Sequence, residues 1–521
     1  MRRIAACALA AILLVPQMSA AQNDPAVAGR IEAIITRPEF KHALWGIQIF
    51  DLDADRPVYA LNEEKLFTPG STTKLLSAGT ALEMLGADHR FHTKVYRTGP
   101  VDGDGTLRGD LVLVASGDPN LSQRLQPDGT LAFENRDHSY GGAPDTRAVP
   151  GDPLKVIKAL AAQVAEKGVR RVTGHVVVDA SLFAEGTREL GSGVFISPIS
   201  VNDNVIDVTV EPGASPGAPA ALTVSPPNGY VRFLNQVTTG VAGSRPAVHI
   251  DDGTSGPDGV LAVTVQGTYP AAQPGWLFAC PVPVPSRFAA VVFAEALRGA
   301  GVAAQVAAPG AVVDLAALSK SYTDANAVAE HVSAPASEMV KVILKVSQNM
   351  HASAMPMLMG ALFAREEGQT GFDVEREWLQ REGLDTRGAQ QADGAGGDAH
   401  FSPAFMVSFL RMMAKRADFA KFHAALPILG KDGTLYNIQP QSPAAGHVHA
   451  KTGTFVVGDP LNRALLVTGK GLAGYVTTAG GKRLAMAVYV NNVAVSTAPD
   501  EVTRVVGQAL GEVAAAAWAS R

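Results

Sequence analysis

Thr68-Pro69-Gly70-Ser71-Thr72-Thr73-Lys74-Leu75-Leu76 is the stretch around which the chain is organised. Pro69-Gly70 is a turn signal, and the apolar positions after it (Leu75, Leu76, Ala78, Leu82, Leu85) recur at helical spacing. The pattern predicts a helix that opens at Ser71, with Lys74 one turn later on the same face. A serine hydroxyl is a weak nucleophile until a base takes its proton, and a lysine serves as base only if burial or a nearby cation lowers its pKa. Ser-x-x-Lys at a helix start brings nucleophile, base and helix dipole together. On its own it reads most simply as an N-cap serine beside a solvated lysine, so its weight depends on the rest of the chain.

Two more short motifs follow in order. Ser347-Gln348-Asn349 falls at the junction of two helical segments, and Lys451-Thr452-Gly453 lies in the strand-like run His449 to Phe455. Each residue type has a chemical use. Ser71 attacks a carbonyl and Lys74 takes its proton; Ser347 relays that proton to the leaving amine; Asn349 holds Lys74 or the substrate amide. Lys451 and Thr452 offer a cation and a hydroxyl to a substrate carboxylate, and Gly453 allows close approach along a strand edge. Lys451 would also help lower the pKa of Lys74. The backbone N–H groups of Ser71 and Thr454 would form the oxyanion hole. Ser200-Val201-Asn202 spells the second motif too, but it runs into an alternating strand (Val205 to Val210), so Ser347 is preferred. The three motifs together are those of penicillin-binding proteins and related β-lactamases.

Outward from Ser71, the runs Trp45 to Phe50 and Pro57 to Leu61 read as a hairpin leading into the helix. The carboxy-terminal part reads as helices from Pro335, then strands (His447 to Phe455, Leu472 to Thr478, Leu484 to Asn491) and a closing helix from Pro499 to Trp518. Elements that could share one sheet therefore lie at both ends. Between them, a helix from Asp152 and a strand Val172 to Asp179 are echoed by a helix from Ser286 and the run Ala311 to Asp314. Nested inside, Val205 to Val248 and Val260 to Thr268 alternate as a β-rich module. The expected division is a catalytic domain (22–92 and 322–521), an inserted α/β domain (93–200 and 276–321) and a nested β-rich domain (201–275).

At 521 residues, 18% charged and a net charge of −5, the composition is that of a soluble globular protein and gives no reason to expect nucleic acid as partner. Met1-Arg2-Arg3, an apolar run to Pro16 and Ser19-Ala20-Ala21 read as a signal peptide (1–21) cut after Ala20 or Ala21. No later run is long enough to span a bilayer. Export, most simply to the periplasm, follows. Cys7 leaves with the leader, so Cys280 is alone in the mature chain and reads as a buried small hydrophobe.

The chain resembles the D-alanyl-D-alanine carboxypeptidase/endopeptidase family S13, the class C low-molecular-mass penicillin-binding proteins, over nearly its whole mature length. Besides the three motifs, Ser200-Val201-Asn202-Asp203-Asn204, Asp432-Gly433-Thr434-Leu435 and Leu472-Ala473-Gly474-Tyr475-Val476 carry the resemblance. It implies an α/β (α+β) fold: a penicillin-binding-protein or serine β-lactamase-like domain, an antiparallel sheet flanked by helices, interrupted by the large insertion. It implies removal of the terminal D-Ala from peptidoglycan stem peptides, with cleavage of crosslinks possible, inhibition by β-lactams, and no cofactor. Where the family has Asp-Gly-Ser-Gly followed by Leu-Ser-Arg, this chain has Asp393-Gly394-Ala395-Gly396-Gly397-Asp398. That departure bears on the wall of the cleft.

Two rivals are a serine β-lactamase and a non-catalytic cell-wall-binding protein. Glu375 and Glu377 read as a solvated helix face and stand outside the Glu-x-x-Leu-Asn pattern that class A β-lactamases use for deacylation. His447 and His449 share one side of a strand, but no third ligand is near in sequence, so no metal site is expected.

Overall fold

Trp45, Ile47, Ile49 and Phe50 are buried because the strand that carries them, Leu44–Asp51, has neighbours on both sides and cover on both faces. The computed structural model describes residues 23–498 and 500–520; the expected leader lies outside them. Leu44–Asp51 pairs with Arg56–Leu61 on one side and Arg483–Asn491 on the other. Ala464–Thr477 and Val448–Asp459 continue the sheet, all antiparallel, so that Val448–Asp459 lies at one edge. Strands from the two ends of the chain thus share one sheet.

Alternation along these strands feeds two cores. Ile47, Ile49, Val448, Ala450, Leu472 and Val488 pack against helices Pro25–Ile35 and Gln508–Trp518. Phe50, Ala473, Tyr475, Ala487 and Tyr489 face the opposite way, onto a helical layer centred on Lys74–Leu85. Residues 74–82 of that helix are all buried, because it is wrapped by Ala336–Lys345 and Asn349–Phe363. A strongly one-sided pattern is therefore absent from it.

The inserted residues form their own layers. Ala327–Val332, His92–Arg97, Leu111–Val114 and Val176–Asp179 make a four-stranded sheet under helices Lys155–Glu166 and Pro285–Gly299. Val205–Glu211, Ala221–Ser225 and Trp276–Pro281 form one further sheet, and Val231–Gly240 and Leu261–Pro270 the heart of another. Cys280 is buried there, its thiol pushed up to about 12 by burial. The second half of the expected echo differs: Ala311–Asp314 is not a strand, and Val312 is 99% exposed. The pairing occurs earlier, at Ala303 and Val306, because a turn at Gly301 (φ +82°) brings the chain to the sheet edge at once. Among the described residues no helix is long and apolar enough to cross a membrane.

Glu375 also departs from expectation. Glu377 is exposed, but Glu375 is 3% exposed on helix Gly371–Arg381, facing Thr80 of the central helix. Burial raises its carboxyl to about 8. The folded pKa exceeds the unfolded one, so its relative stabilisation is complete below about pH 4 and lost as pH rises towards 8. Glu375→Gln is expected to raise the melting temperature at pH 8 by the equivalent of about 1–3 kcal/mol, with little gain at pH 5. Thermal unfolding at the two pH values checks this.

Candidate active site

The Ser71 turn begins as a tight 3-10 segment, Gly70–Thr73, and becomes α-helical only at Lys74. Gly70 sits at φ +52°, and a Cβ there would come within 2.5 Å of Thr454 N. A Cβ on Gly453 would lie 1.9 Å from Pro69 O and 3.1 Å from Ser71 N. Two glycines thus let the Ser71 turn press against the edge strand, which brings the backbone nitrogens of Ser71 and Thr454 to one place. This is the arrangement expected of an oxyanion hole.

Lys74 is fully buried. Its Nζ lies 2.6 Å from Ser71 Oγ, 2.6 Å from Asn349 Oδ1 and 3.1 Å from Ala395 O. The two carbonyl oxygens can only accept. A neutral amine therefore gives its two N–H bonds to them and turns its lone pair towards the Ser71 hydroxyl. Burial lowers the Lys74 pKa to about 7, against the opposing pull of Glu189 and Asp393. The expectation that Lys451 depresses Lys74 is replaced by desolvation as the main cause.

Ser347 stands between helices Ala336–Lys345 and Asn349–Phe363 with φ +64°, a backbone conformation that costs a non-glycine residue about 1–3 kcal/mol. Residues of the insertion hold it there. Tyr140 donates its hydroxyl to Ser347 O, and Gln348 caps the second helix by accepting from Met350 N at 2.8 Å while donating to Ser139 Oγ at 3.1 Å. Lys451 Nζ donates to Ser347 Oγ and to Thr452 O, both at 2.8 Å. Lys451 has no exposed surface, and burial and Lys74 hold its pKa well below the ordinary range. Its amine stands behind Ser347 and not at the wall of the cleft, where the sequence reading put it.

The cleft is a cavity of about 530 Å³ lined by Ser71, Ser347, Asn349, Thr452 and Thr454. Among the lining residues that sequence reasoning missed, Thr434 and Lys470 meet the third motif directly. Thr434, in a stretch noted only for resemblance, has its Oγ1 2.8 Å from Thr452 Oγ1. Lys470, paired with Thr454 across the strands, donates to Thr454 Oγ1 at 2.6 Å. Its signal was available: a lysine in an otherwise apolar strand beside the third motif.

The departure at Asp393–Asp398 forms a loop folded on its own aspartate. Asp393 accepts from the backbone of Ala395, Gly396 and Asp398. The loop gives Lys74 a main-chain carbonyl, which an alanine supplies as well as a serine.

The rejected motif, Ser200-Val201-Asn202, is buried and does not line the cleft, with no hydrogen-bond partner for the Ser200 hydroxyl among the described residues. Next to it Asp203 accepts from Arg124 (Nη2 at 2.6 Å), His138 (Nε2 at 2.7 Å) and His351 (Nε2 at 2.8 Å). His138 also meets Asp207 at 2.8 Å, and Arg124 pairs with Asp137. Asp137, His138 and Asp203 hold ligand-type atoms within 4.8 Å of one another, but the Arg124 guanidinium already lies between the two carboxylates. His447 and His449 make ring contacts instead of converging: His449 stacks on His423 at 4.1 Å and His447 lies against Trp518.

A model of the D-Ala-D-Ala carboxypeptidase 3 (S13) family matches residues 27–510. The chain is 30% identical over 450 residues to the D-alanyl-D-alanine carboxypeptidase of an Actinomadura species, covering 81% of this chain and 75% of that protein. It is 23% identical over 450 residues to the D-alanyl-D-alanine carboxypeptidase DacB of Haemophilus influenzae, covering 82% and 81%. The crystal structure of penicillin-binding protein 4 (DacB) from Haemophilus influenzae matches with a TM-score of 0.70 at 20% identity, covering 93% of this chain and 97% of that one, a likeness of fold. The chain belongs to the D-Ala-D-Ala carboxypeptidase 3 (S13) family.

Proposed function

We propose that this carboxypeptidase removes the terminal D-alanine of peptidoglycan stem peptides through an acyl-enzyme on Ser71. The observation that carries the reading is the lone-pair geometry of Lys74: two fixed acceptors orient a buried amine whose pKa is about 7 at 2.6 Å from Ser71 Oγ. Lys74 takes the Ser71 proton as Oγ attacks the penultimate carbonyl. The oxyanion receives the N–H groups of Ser71 and Thr454. Ser347, accepting from Lys451, gives its own O–H proton to the departing amine of D-alanine and recovers one from the Lys74 ammonium, which returns to the neutral amine. Water then hydrolyses the ester and regenerates Ser71.

The same attack on a β-lactam ring leaves no departing group to diffuse away, so the penicilloyl ester persists. A penicillin-binding protein 4 of the same fold has been crystallised with a β-lactam, in keeping with this. Cleavage of D-Ala-linked crosslinks is the second activity of this site under the same chemistry. The reading goes with an exported chain, a catalytic unit drawn from both chain ends that resumes only after the strand Ala327–Val332, which belongs to the inserted sheet and not, as expected, to the catalytic domain, and inserted units that brace the second motif through Tyr140 and Ser139.

The experiment is incubation with purified crosslinked muropeptides and with stem peptides ending in D-Ala-D-Ala, with products read by mass spectrometry. Release of D-alanine, together with a durable penicilloyl adduct on the Ser71 peptide, is expected. Rapid turnover of penicillin would favour a β-lactamase, and neither adduct nor cleavage would favour a binding protein.

A further inference from the structure

Lys470 has no role in the three motifs, yet it is a buried cation in the wall of the cleft. It stands opposite Thr454, and Leu472 opposite Thr452. Cross-strand partners in an antiparallel pair point to the same face, so Thr452, Thr454 and Lys470 present their side chains together. Lys451 and Gly453 belong to the other face, where Gly453 abuts the Ser71 turn and Lys451 reaches Ser347. Lys470 is 8% exposed, against 0% for Lys451.

Its surroundings lack a counter-ion. Among the described residues no acidic side chain pairs with Lys470, and burial alone lowers its pKa, to about 8. Asp137, the carboxylate lining the same cavity, is engaged by Arg124. A buried ammonium without a carboxylate is costly, and such a group at a cavity wall points to a ligand that supplies the missing charge. Hydrogen-bond donors converge beside it. The ammonium gives one N–H to Thr454 Oγ1 and keeps two. Thr454, accepting from Lys470, has its own O–H to give, and the Thr452–Thr434 pair has one hydroxyl hydrogen left over.

We infer that Lys470, with Thr452, Thr454 and Thr434, anchors the terminal carboxylate of the substrate, and so makes this cleft select peptides that end in a free acid. The inference rests on the acyl-transfer reading of Ser71. It assigns to Lys470 the task that sequence alone gave to Lys451, and leaves Lys451 to orient Ser347.

The test measures kcat/KM on a stem peptide ending in D-Ala-D-Ala and on its C-terminal amide, in wild type, Lys470→Gln and Lys470→Arg. Gln keeps a hydrogen bond to Thr454 without the charge, and Arg keeps the charge. Wild type is expected to prefer the free acid. In Lys470→Gln, kcat/KM on the free acid should fall about 10- to 100-fold, mainly through KM, and the acid-to-amide ratio should fall by a similar factor. Lys470→Arg should restore most of that ratio. Equal losses on acid and amide would reduce Lys470 to a support for Thr454 and overturn the inference, as would full preference for the acid in Lys470→Gln. A wild-type enzyme that cleaves neither peptide and forms no penicilloyl adduct would instead fail the acyl-transfer reading itself.

Discussion

Ser71→Ala is expected to abolish both D-alanine release and the penicilloyl adduct, and Lys74→Arg to slow acylation by about 10²–10⁴-fold while leaving Ser71 in place. The reasoning for Lys74 turns on its proton. The active form is the neutral amine, and burial brings its pKa down to about 7. Below that pH the amine is protonated and cannot accept; above it the lone pair is free. Wild-type acylation should therefore rise as pH increases through about 7 and level off above it, as long as the fold is intact. An arginine at position 74 stays charged throughout, so its residual rate should not rise with that step. The measurement is the rate of penicilloyl formation by mass spectrometry at several pH values. A flat wild-type profile across the neutral range, or wild-type rates in Lys74→Arg, would remove Lys74 as the base.

The three motifs were legible because each is a short run whose residue types carry the chemistry, and the structure hydrogen-bonds Lys74 to Ser71 and Asn349, and Lys451 to Ser347, with Ser71, Ser347 and Asn349 lining one cavity. The sheet built from both chain ends was legible from period-two runs such as Trp45 to Phe50. Other features depend on neighbours far away in sequence. Which face of the edge strand meets Ser347 depends on contacts with helices more than a hundred residues earlier, so Lys451 and Lys470 could not be told apart in role. Glu375 reads as exposed because its helix is amphipathic, yet it lies on the side turned to Thr80. The supposed strand at Ala311–Asp314 had the right composition but came after the sheet edge was already filled by Ala303 and Val306. Ser200 does not line the cleft that Ser347 lines, but its neighbour Asp203 holds His351 in the helix that follows Ser347.

That link gives the other large effect: Asp203→Asn is expected to destabilise the fold by about 3–5 kcal/mol, because it leaves buried Arg124, His138 and His351 without their shared carboxylate. His351 lies in the first turn of the helix that begins at Asn349, so loss of its anchor should also loosen Ser347 and Asn349 and slow acylation of the protein that remains folded. Ser200→Ala, three residues away, removes a hydroxyl with no partner among the described residues and should change stability by less than about 1 kcal/mol and acylation little. Ser347→Ala should leave stability nearly intact yet slow acylation by two or more orders of magnitude, about the loss of a proton relay. The pH dependence has a definite sign. Asp203 is held well below the ordinary carboxylate range, with Arg124 the leading opposing charge to its burial, so its contribution is present above about pH 4 and lost as pH falls. His138 is raised well above its ordinary value, chiefly by Asp207 against the cost of burial. Its contribution is complete below about pH 6.5 and is lost as pH rises towards the folded value. Wild-type stability from this network should therefore be greatest between those limits, and Asp203→Asn should flatten both flanks. Thermal unfolding and penicillin acylation of the three variants, followed across pH, separate the roles. If Ser200→Ala and Asp203→Asn lose stability alike, the two residues act as one buried cluster; if Asp203→Asn leaves acylation of the folded fraction untouched, the network supports the insertion alone.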